Sequence, residues 1–221
     1  MRLAFLFYDG MTALDALGPH EILSRLPGAE TLRVARRPGL VATDSGVSLL
    51  ASSGFSDVPQ ADVLVIPGAA TATSLRGDED TLRWVRAIHG SSTWTTSVCT
   101  GSLILGAAGV LDGLRATTHW AVHDRLREHG AQPVAARVVE DGKVVTAAGV
   151  SAGIDMALIL AGKIAGSDVA RALQLAIEYD PAPPFDSGSP AKASPATLAA
   201  VRTIMGRSFE PRDGSRRSSA R

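Results

Sequence analysis

The stretch of sequence that decides the fold is TTSVCTGSLIL, residues 95–105, in which a strand-like run ends at Cys99 and small and apolar residues then open a helix. A helix that begins directly after a cysteine points unpaired backbone N–H groups and the positive end of its dipole at the sulfur, which favours the thiolate. Because the thiolate is the nucleophilic form, this pattern indicates a reactive cysteine. The alternative is a small buried apolar side chain, since free cysteine is among the most buried residue types.

Composition limits the classes of protein to which the chain can belong. Its 221 residues are 45% apolar, which is ample for a substantial core. Lys plus Arg equals Asp plus Glu, at 22 each, so no overall field attracts nucleic acid, and nucleic-acid binding is disfavoured. One cysteine forms no internal disulfide, and neither a signal peptide nor an apolar stretch of membrane-spanning length is evident. We therefore expect a cytoplasmic protein with no membrane partner.

Short apolar runs alternate with helical patterns along the chain, which is typical of a parallel sheet with both faces covered. The predicted strands are Leu3–Tyr8, Thr31–Ala35, Asp62–Ile66, Trp94–Val98 and the antiparallel pair Arg137–Glu140 and Lys143–Ala147, with a hairpin around 41–50 and a short strand near 115–117. The predicted helices run through Ile22 to Leu26 with Gly18 and Pro19 in the first turn, and over 79–89, 101–110, 121–129, 150–164 and 167–179. We see no repeat and no second domain, and Arg, Ser and Gly predict disorder from Arg207 onward.

Ligands of an open parallel sheet bind beyond the carboxyl ends of the strands, and three segments place reactive or unpaired groups there. Cys99 follows one strand, and Asp15 follows the first strand in an apolar setting. Burial would raise the pKa of Asp15 and suit it to proton transfer, whereas the alternative is a helix cap or a solvated charge. The third segment, 67–70, is a turn in which the N–H groups of Gly68 and Ala69 could face developing negative charge.

Five segments together resemble a known family. They are SVCTG at 97–101, DALGPHE at 15–21, ATTHW at 116–120, GVSAGID at 149–155 and EYDPAPPF at 178–185 with GSP at 188–190. The first four resemble the DJ-1/PfpI superfamily, and the last is similar to the C-terminal segment of isonitrile hydratases. The resemblance covers the chain from the first strand to about Pro190.

The resemblance implies a flavodoxin-like α/β fold, a three-layer sandwich with a mostly parallel central sheet and a cysteine nucleophile elbow. It also implies a homodimer without metal or organic cofactor. The nucleophile falls on Cys99, the acid/base carboxylate on Asp15 and a hydroxyl residue on Thr100, where protease-like relatives have histidine. Because Thr100 cannot serve as a general base, peptide hydrolysis is disfavoured. The domain is expected to span residues 1–206, with 207–221 as a disordered tail.

The implied reaction is hydration of a small-molecule isonitrile to an N-substituted formamide by a hydro-lyase. Cys99 would attack the terminal carbon, Asp15 would supply a proton to that carbon, and water would then attack the thioimidate. Gly68, Ala69 and Val150 are expected to contact the substrate, with Thr100 positioning substrate or water.

Two departures from the related sequences concern the pocket. Ala69 stands where relatives commonly carry a second glycine, so a positive φ there would strain the turn, and Ala148 stands where hydratases are richer in glycine. The resemblance places His119 near the cysteine without contact to substrate, where packing or a hydrogen bond to backbone is the favoured role. A metal pair of His119 and His123 lacks a third ligand and the HExxH pattern, so no metal is predicted.

Two other functions use the same residues. A DJ-1-type redox or stress-response protein, or a small-molecule sensor, would rely on an oxidisable Cys99. Similar domains also precede helix-turn-helix modules in transcription regulators, but this sequence has no room for such a module after the domain.

Overall fold

A seven-stranded sheet organises the computed structural model, which describes residues 1–70, 75 and 77–209. The strands are, in chain order, β1 (Arg2–Leu6), β2 (Glu30–Ala35), β3 (Gly39–Ala42), β4 (Ser48–Ala51), β5 (Ser53–Gly54), β6 (Val63–Ile66), β7 (Trp94–Val98), β8 (Arg115–Ala116), β9 (Gln132–Pro133), β10 (Val138–Asp141) and β11 (Val144–Ala147). The sheet has the order β10-β11-β7-β6-β1-β2-β5, and only β10 runs antiparallel to its neighbour. β3 pairs with β4, and β8 with β9, in two small separate ladders.

The chain also forms helices. They are α1 (Ala13–Leu23), α2 (Glu79–Ser91), α3 (Gly101–Ala107), α4 (Ala152–Ala165), α5 (Ser167–Ala176) and α6 (Pro195–Phe209), with 3₁₀ segments at Phe55–Asp57 and Trp120–His129. The connection from β1 to β2 and the connection from β6 to β7 run in opposite directions across the sheet. Right-handed crossovers therefore place α1 and α2 on opposite faces, and the chain reverses its winding between β1 and β6. This confirms the predicted α/β fold with a mostly parallel central sheet.

The core lies on both faces of the central strands. All four residues of β6 are buried, as are Leu3 to Leu6 of β1. Strands buried on both faces read as continuous apolar runs, which is why the sequence pattern identified both, although it extended β1 to Tyr8, beyond its end at Leu6. Leu82, Val85 and Ile88 of α2 are buried as predicted.

The main differences from the predicted elements concern three helices, one of which was not predicted. Gly18 and Pro19 lie inside α1 rather than in its first turn, because the helix begins at Ala13. The segment Trp120–His129 is a 3₁₀ helix interrupted at Val122, which has φ −128°. The sequence did not predict α6, whose residues lie between proline- and serine-rich stretches.

The chain divides into two compact units, Met1–Pro181 and Ala182–Arg221. α6 lies in the second unit and extends to Phe209, and residues 210–221 of the predicted tail lie outside the described residues. The domain boundary at residue 206 therefore stays a prediction. No described helix is both long enough and apolar enough to cross a membrane.

The start of α3 packs against the backbone at the end of β6, and this contact tests the fold. A Cβ on Gly101 would lie 2.2 Å from the carbonyl oxygen of Ile66, which is backbone and cannot move aside cheaply. We expect Gly101→Ala to lower the free energy of unfolding by about 2 kcal/mol or more. Gly90→Ala is the matched control, because a Cβ on this exposed α2 residue meets nothing within 4 Å. Urea unfolding should show the control unchanged or up to about 1 kcal/mol more stable, and equal stability of the two variants would contradict the packing.

Candidate active site

Cys99 occupies a sharp turn between β7 and α3. Its φ is +57°, a left-handed conformation that is costly for a residue with a side chain. The thiol is almost fully buried, with 6% of the residue exposed. The predicted nucleophile elbow is therefore present in its geometry, and the surrounding structure must hold it in this conformation.

Hydrogen bonds to both peptide groups of Cys99 hold the turn. Its N–H lies 2.8 Å from the carbonyl oxygen of Ala148 and 3.1 Å from that of Ala147, and donates to both. Its own carbonyl accepts from the hydroxyl of Ser102 at 3.2 Å and from that of Thr118 at 3.0 Å. The elbow is thus fixed from three directions, by the end of β11, by α3 and by the segment after β8.

Asp15 lies in the first turn of α1 and is completely buried. Its Oδ2 accepts a hydrogen bond from the N–H of Gly68 at 2.9 Å, whereas Oδ1 has no hydrogen-bond partner among the described residues. Burial raises the pKa of Asp15 to about 7, against the opposing effect of the Gly68 N–H, and the charge of Asp44 raises it further. Asp15 is therefore neither a solvated charge nor a helix cap, and it can both hold and release a proton near neutral pH.

The Cys99 thiol lies beside this carboxyl, and each group affects the pKa of the other. Burial raises the pKa of Cys99 well above its ordinary value, and the charge of Asp15 adds to that increase. The backbone and hydroxyl of Thr100 act in the opposite direction but do not compensate. Loss of hydration therefore opposes the thiolate stabilisation that the sequence pattern predicts for the start of helix α3.

The turn after β6 carries Gly68 and Ala69 into the same site. The N–H of Ala69 donates to Oγ1 of Thr100 at 2.9 Å, and the Thr100 hydroxyl donates to the Ala69 carbonyl at 2.8 Å. A Cβ on Gly68 would lie 2.5 Å from the backbone nitrogen of Thr100, so this close approach requires glycine. Both N–H groups have protein partners, which differs from the expectation that they face the substrate.

Ala69 is accommodated without strain. Cys99 and Glu178 are the non-glycine residues with positive φ in the described part of the chain, and Ala69 is not among them. Its side chain is buried, and its backbone forms a bridge with Met11. The expected strain from alanine at this position is therefore not found.

Val150 and His119 both lie near the elbow, and they make different contacts there. Val150 packs against a buried cluster that contains Cys99 and Met156. Nδ1 of His119 accepts from the N–H of Ala121 at 3.3 Å, and burial lowers the pKa of the ring, which favours neutral histidine with its proton on Nε2. The ring lies against Gly149. Thr118, the residue before His119, donates the hydrogen bond to the Cys99 carbonyl.

Two residues of the site were missed by sequence reasoning. Thr118 holds the Cys99 carbonyl, and its signal was its place in the ATTHW segment at 116–120 that carries the family resemblance. Tyr8 follows β1, and its buried hydroxyl donates to the carbonyl of Pro67 at 2.9 Å. Burial and the charges of Asp15 and Cys99 raise the pKa of Tyr8, which shows that it borders the same pair. The apolar run predicts a first strand that continues through Tyr8, so its place in the site was not predicted.

Metal ligation finds no support in this arrangement. Within residues 1–70, 75 and 77–209, no group of three or more His, Cys, Asp or Glu side chains is placed to hold an ion. The functional groups gathered here are a thiol, a carboxyl and hydroxyls. Such a set can carry out nucleophilic addition and proton transfer.

The chain is similar to known proteins in both sequence and fold. The chain is 45% identical over 202 residues to isonitrile hydratase from Pseudomonas putida, an alignment that covers 91% of this chain and 89% of that enzyme. A crystal structure of a ThiJ/PfpI family protein from Pseudomonas syringae superposes with a TM-score of 0.90 at 38% identity and covers 93% of this chain and 86% of that chain. Drosophila melanogaster DJ-1beta shares the fold, with a TM-score of 0.69 at 19% identity over 80% of this chain and 97% of that chain.

The sequence of residues 1–162 matches the family described as DJ-1/PfpI. That range contains β1 to β11 and most of α4, and it includes Asp15, Gly68, Cys99 and Thr100. On this match, the chain belongs to the DJ-1/PfpI family.

Proposed function

We propose that this protein is an isonitrile hydratase, which converts R–N≡C and water into an N-substituted formamide. The observation that carries the proposal is the buried pair of Asp15 and Cys99, in which a carboxyl with a pKa of about 7 lies beside a protonated thiol. The terminal carbon of an isonitrile accepts a nucleophile and a proton at one atom. A thiol and a carboxyl side by side can supply both.

In the first step, the Asp15 carboxylate takes the proton of the Cys99 thiol as Sγ attacks the terminal carbon. The carboxyl then delivers that proton to the carbon lone pair. The S–H bond breaks, S–C and C–H bonds form, and one C–N π pair becomes a lone pair on nitrogen. The product is a thioimidate, R–N=CH–S–Cys99, and Asp15 is again a carboxylate.

In the second step, Asp15 removes a proton from water while the oxygen attacks the thioimidate carbon, and the carboxyl passes this proton to nitrogen. The C–S bond of the tetrahedral adduct then breaks, and the hydroxyl proton returns to Sγ by way of Asp15. The formamide R–NH–CHO leaves, and the thiol is regenerated. A carboxyl with a pKa near the working pH suits these alternating roles.

The surrounding groups position this pair. Gly68 orients the Asp15 carboxylate through its N–H, and Ala69 orients the Thr100 hydroxyl. Thr100 in turn can exchange its bond to the Ala69 carbonyl for one to substrate or water. Val150 would contact the R group from the side of α4, and His119 would support the wall that includes Gly149.

The relative with 45% identity is named isonitrile hydratase, which supports the same assignment. Oxidative sensing, the alternative raised by the sequence, requires an exposed thiolate. Burial instead keeps Cys99 protonated, so we favour hydration. A cytoplasmic homodimer that uses no cofactor and binds no nucleic acid remains part of the proposal.

Turnover of a simple aryl isonitrile tests the reaction and both residues together. We expect the purified protein to produce the N-formamide, and we expect Cys99→Ala and Asp15→Asn to lose at least 99% of the activity, or about 3 kcal/mol of transition-state stabilisation. Chromatographic quantification of the formamide is the measurement. No product from the wild-type protein with several isonitriles would overturn the proposal, and rapid oxidation of Cys99 by mild peroxide would then support sensing.

The pH dependence tests the direction of proton transfer. The first step needs Asp15 as carboxylate and Cys99 as thiol, and the pKa of Asp15 is raised to about 7. We therefore expect kcat/KM to rise between about pH 6 and pH 8 with a midpoint near 7, which would belong to the coupled pair. A profile that is flat or that falls over this range would contradict the assigned starting state.

Stability measurements separate a catalytic loss at Asp15 from misfolding. Between the ordinary pKa of 3.8 and the folded value of about 7, the folded state binds a proton that the unfolded state has released. The contribution of Asp15 to stability therefore falls as pH rises through this interval. We therefore expect the free energy of unfolding of Asp15→Asn, relative to that of the wild type, to rise by about 4 kcal/mol from pH 4 to pH 8.

Urea unfolding at both pH values gives this difference directly. Cys99→Ala is the control, because it keeps the carboxyl and should retain the falling wild-type trend. If the stability difference between Asp15→Asn and the wild type is the same at pH 4 and at pH 8, the carboxyl is not held with a raised pKa.

A further inference from the structure

Asp155, near the start of α4, holds two residues that the proposed reaction does not use. Its Oδ2 accepts a hydrogen bond from Nε of Arg137, and the two side chains form an ion pair. Its Oδ1 accepts a hydrogen bond from the hydroxyl of Tyr179 at 3.0 Å. Both carboxylate oxygens are thus engaged, by the segment before β10 and by the segment after α5. We call Arg137, Asp155 and Tyr179 the Asp155 clamp.

Arg137 forms hydrogen bonds with both ends of the short segment 148–151. Its carbonyl accepts from the N–H of Ala148 at 2.9 Å, and its Nη2 donates to the hydroxyl of Ser151 at 3.3 Å. A guanidinium has a planar, preorganised set of donors, so it can hold a carboxylate and a hydroxyl at the same time. The guanidinium of Arg137 therefore holds the Ser151 end of this segment, and its backbone carbonyl holds the Ala148 end.

The same segment forms one wall of the nucleophile. Ala148 accepts the shorter of the two hydrogen bonds from the Cys99 N–H, at 2.8 Å, and Ala148 and Val150 pack against the cluster that contains Cys99. These contacts keep Cys99 buried and hold its left-handed backbone. A path of direct contacts thus runs from Asp155 through Arg137 and Ala148 to Cys99.

Tyr179 reaches Asp155 through a second strained turn. Glu178 has φ +51°, and it shares the left-handed conformation with Cys99. This turn follows α5 and brings the Tyr179 hydroxyl to α4, while the Tyr179 N–H donates to the carbonyl of Gln174 in α5 at 3.0 Å. Strained backbone persists where the surrounding contacts impose it, and here it serves to place one hydroxyl on the clamp.

An ordinary ion pair on the same helix provides a comparison. Lys163 of α4 pairs with Glu140 of β10 at 2.8 Å, and both side chains are more than one third exposed. Such exposed pairs add little to stability. The Arg137 side chain is itself 52% exposed, so the two pairs differ in what they contact rather than in exposure. This pair contacts neither the 148–151 segment nor the elbow in the described structure, whereas the clamp contacts the segment directly.

We propose that Arg137, Asp155 and Tyr179 are positioning residues that hold segment 148–151 against Cys99 and thereby set the reactivity of the thiol. The expected effect on isonitrile turnover rests on the proposed function, whereas the expected effect on the reactivity of the Cys99 thiol does not. Loosening the clamp should let the wall move away from Sγ, which would misplace the nucleophile for the reaction and expose it to other reagents.

The test compares Asp155→Asn and Tyr179→Phe with Glu140→Gln, the matched control on the other ion pair. We expect Asp155→Asn to lower kcat for isonitrile hydration about tenfold and Tyr179→Phe about threefold, with KM changed less than about twofold, because the main effect is misplacement of the nucleophile. Alkylation of Cys99 by iodoacetamide should become faster in both clamp variants, and its pH profile should move to lower pH as burial decreases. Glu140→Gln should match the wild type in every measurement.

Alkylation is measured at several low urea concentrations, because reaction through global unfolding accelerates steeply with urea whereas reaction of the folded site does not. Clamp variants that lose thermal stability but keep the wild-type kcat and the wild-type alkylation rate of the folded protein would overturn the proposal. So would equal effects of Glu140→Gln and Asp155→Asn. If Asp155→Asn does not fold, Tyr179→Phe decides, since it removes a single hydroxyl from a half-buried side chain.

The two proposals can fail separately. If the wild-type protein hydrates no isonitrile, the proposed function fails, and the alkylation rates still show whether the clamp controls Cys99. If hydration occurs and alkylation is unaffected by the clamp variants, the proposed function stands and the clamp is only structural.

Discussion

Burial of the Asp15 carboxyl beside the Cys99 thiol is the constraint on which the rest of the site depends. In water these groups would ionise at different pH values and act independently. Removed from water, both are held towards their protonated forms, and the carboxyl exchanges its proton near neutrality. In the proposed reaction, this pair would supply a nucleophile and a proton to one carbon atom without a histidine base.

The fold supplies this burial by bringing three strand ends together. Asp15 follows β1, Gly68 follows β6 and Cys99 follows β7, and these strands are adjacent in the sheet. The winding of the chain reverses between β1 and β6, and open α/β sheets bind their ligands at the carboxyl ends of the strands beside such a reversal. Close backbone approach at Gly68 and Gly101 then draws the β6 turn and the start of α3 together, because no side chain separates them.

Sequence patterns predicted most of what depends on local structure. The strand Trp94–Val98 and the helix beginning at Gly101 have the predicted positions, because apolar run length and small residues determine them locally. Patterns were less successful where partners are distant in sequence. Thr118 touches the Cys99 carbonyl across 19 residues, and nothing in its neighbourhood distinguishes it from Thr117. The 3₁₀ segment at 120–129 likewise departs from its helical pattern.

The sequence by itself determined the alternating α/β architecture, the elbow at Cys99 and the candidates Asp15, Thr100, Gly68 and Ala69, since these follow from apolar periodicity, small residues and family motifs. Only the tertiary structure decided the ionisation of the pair, because hydration is lost when β1, β6 and β7 assemble around it and no local pattern reports that loss. It also decided that the Gly68 and Ala69 N–H groups hold Asp15 and Thr100, and that Arg137, Asp155 and Tyr179 meet beside the 148–151 segment. These contacts join residues far apart along the chain, so they exist only after the sheet and helices have packed.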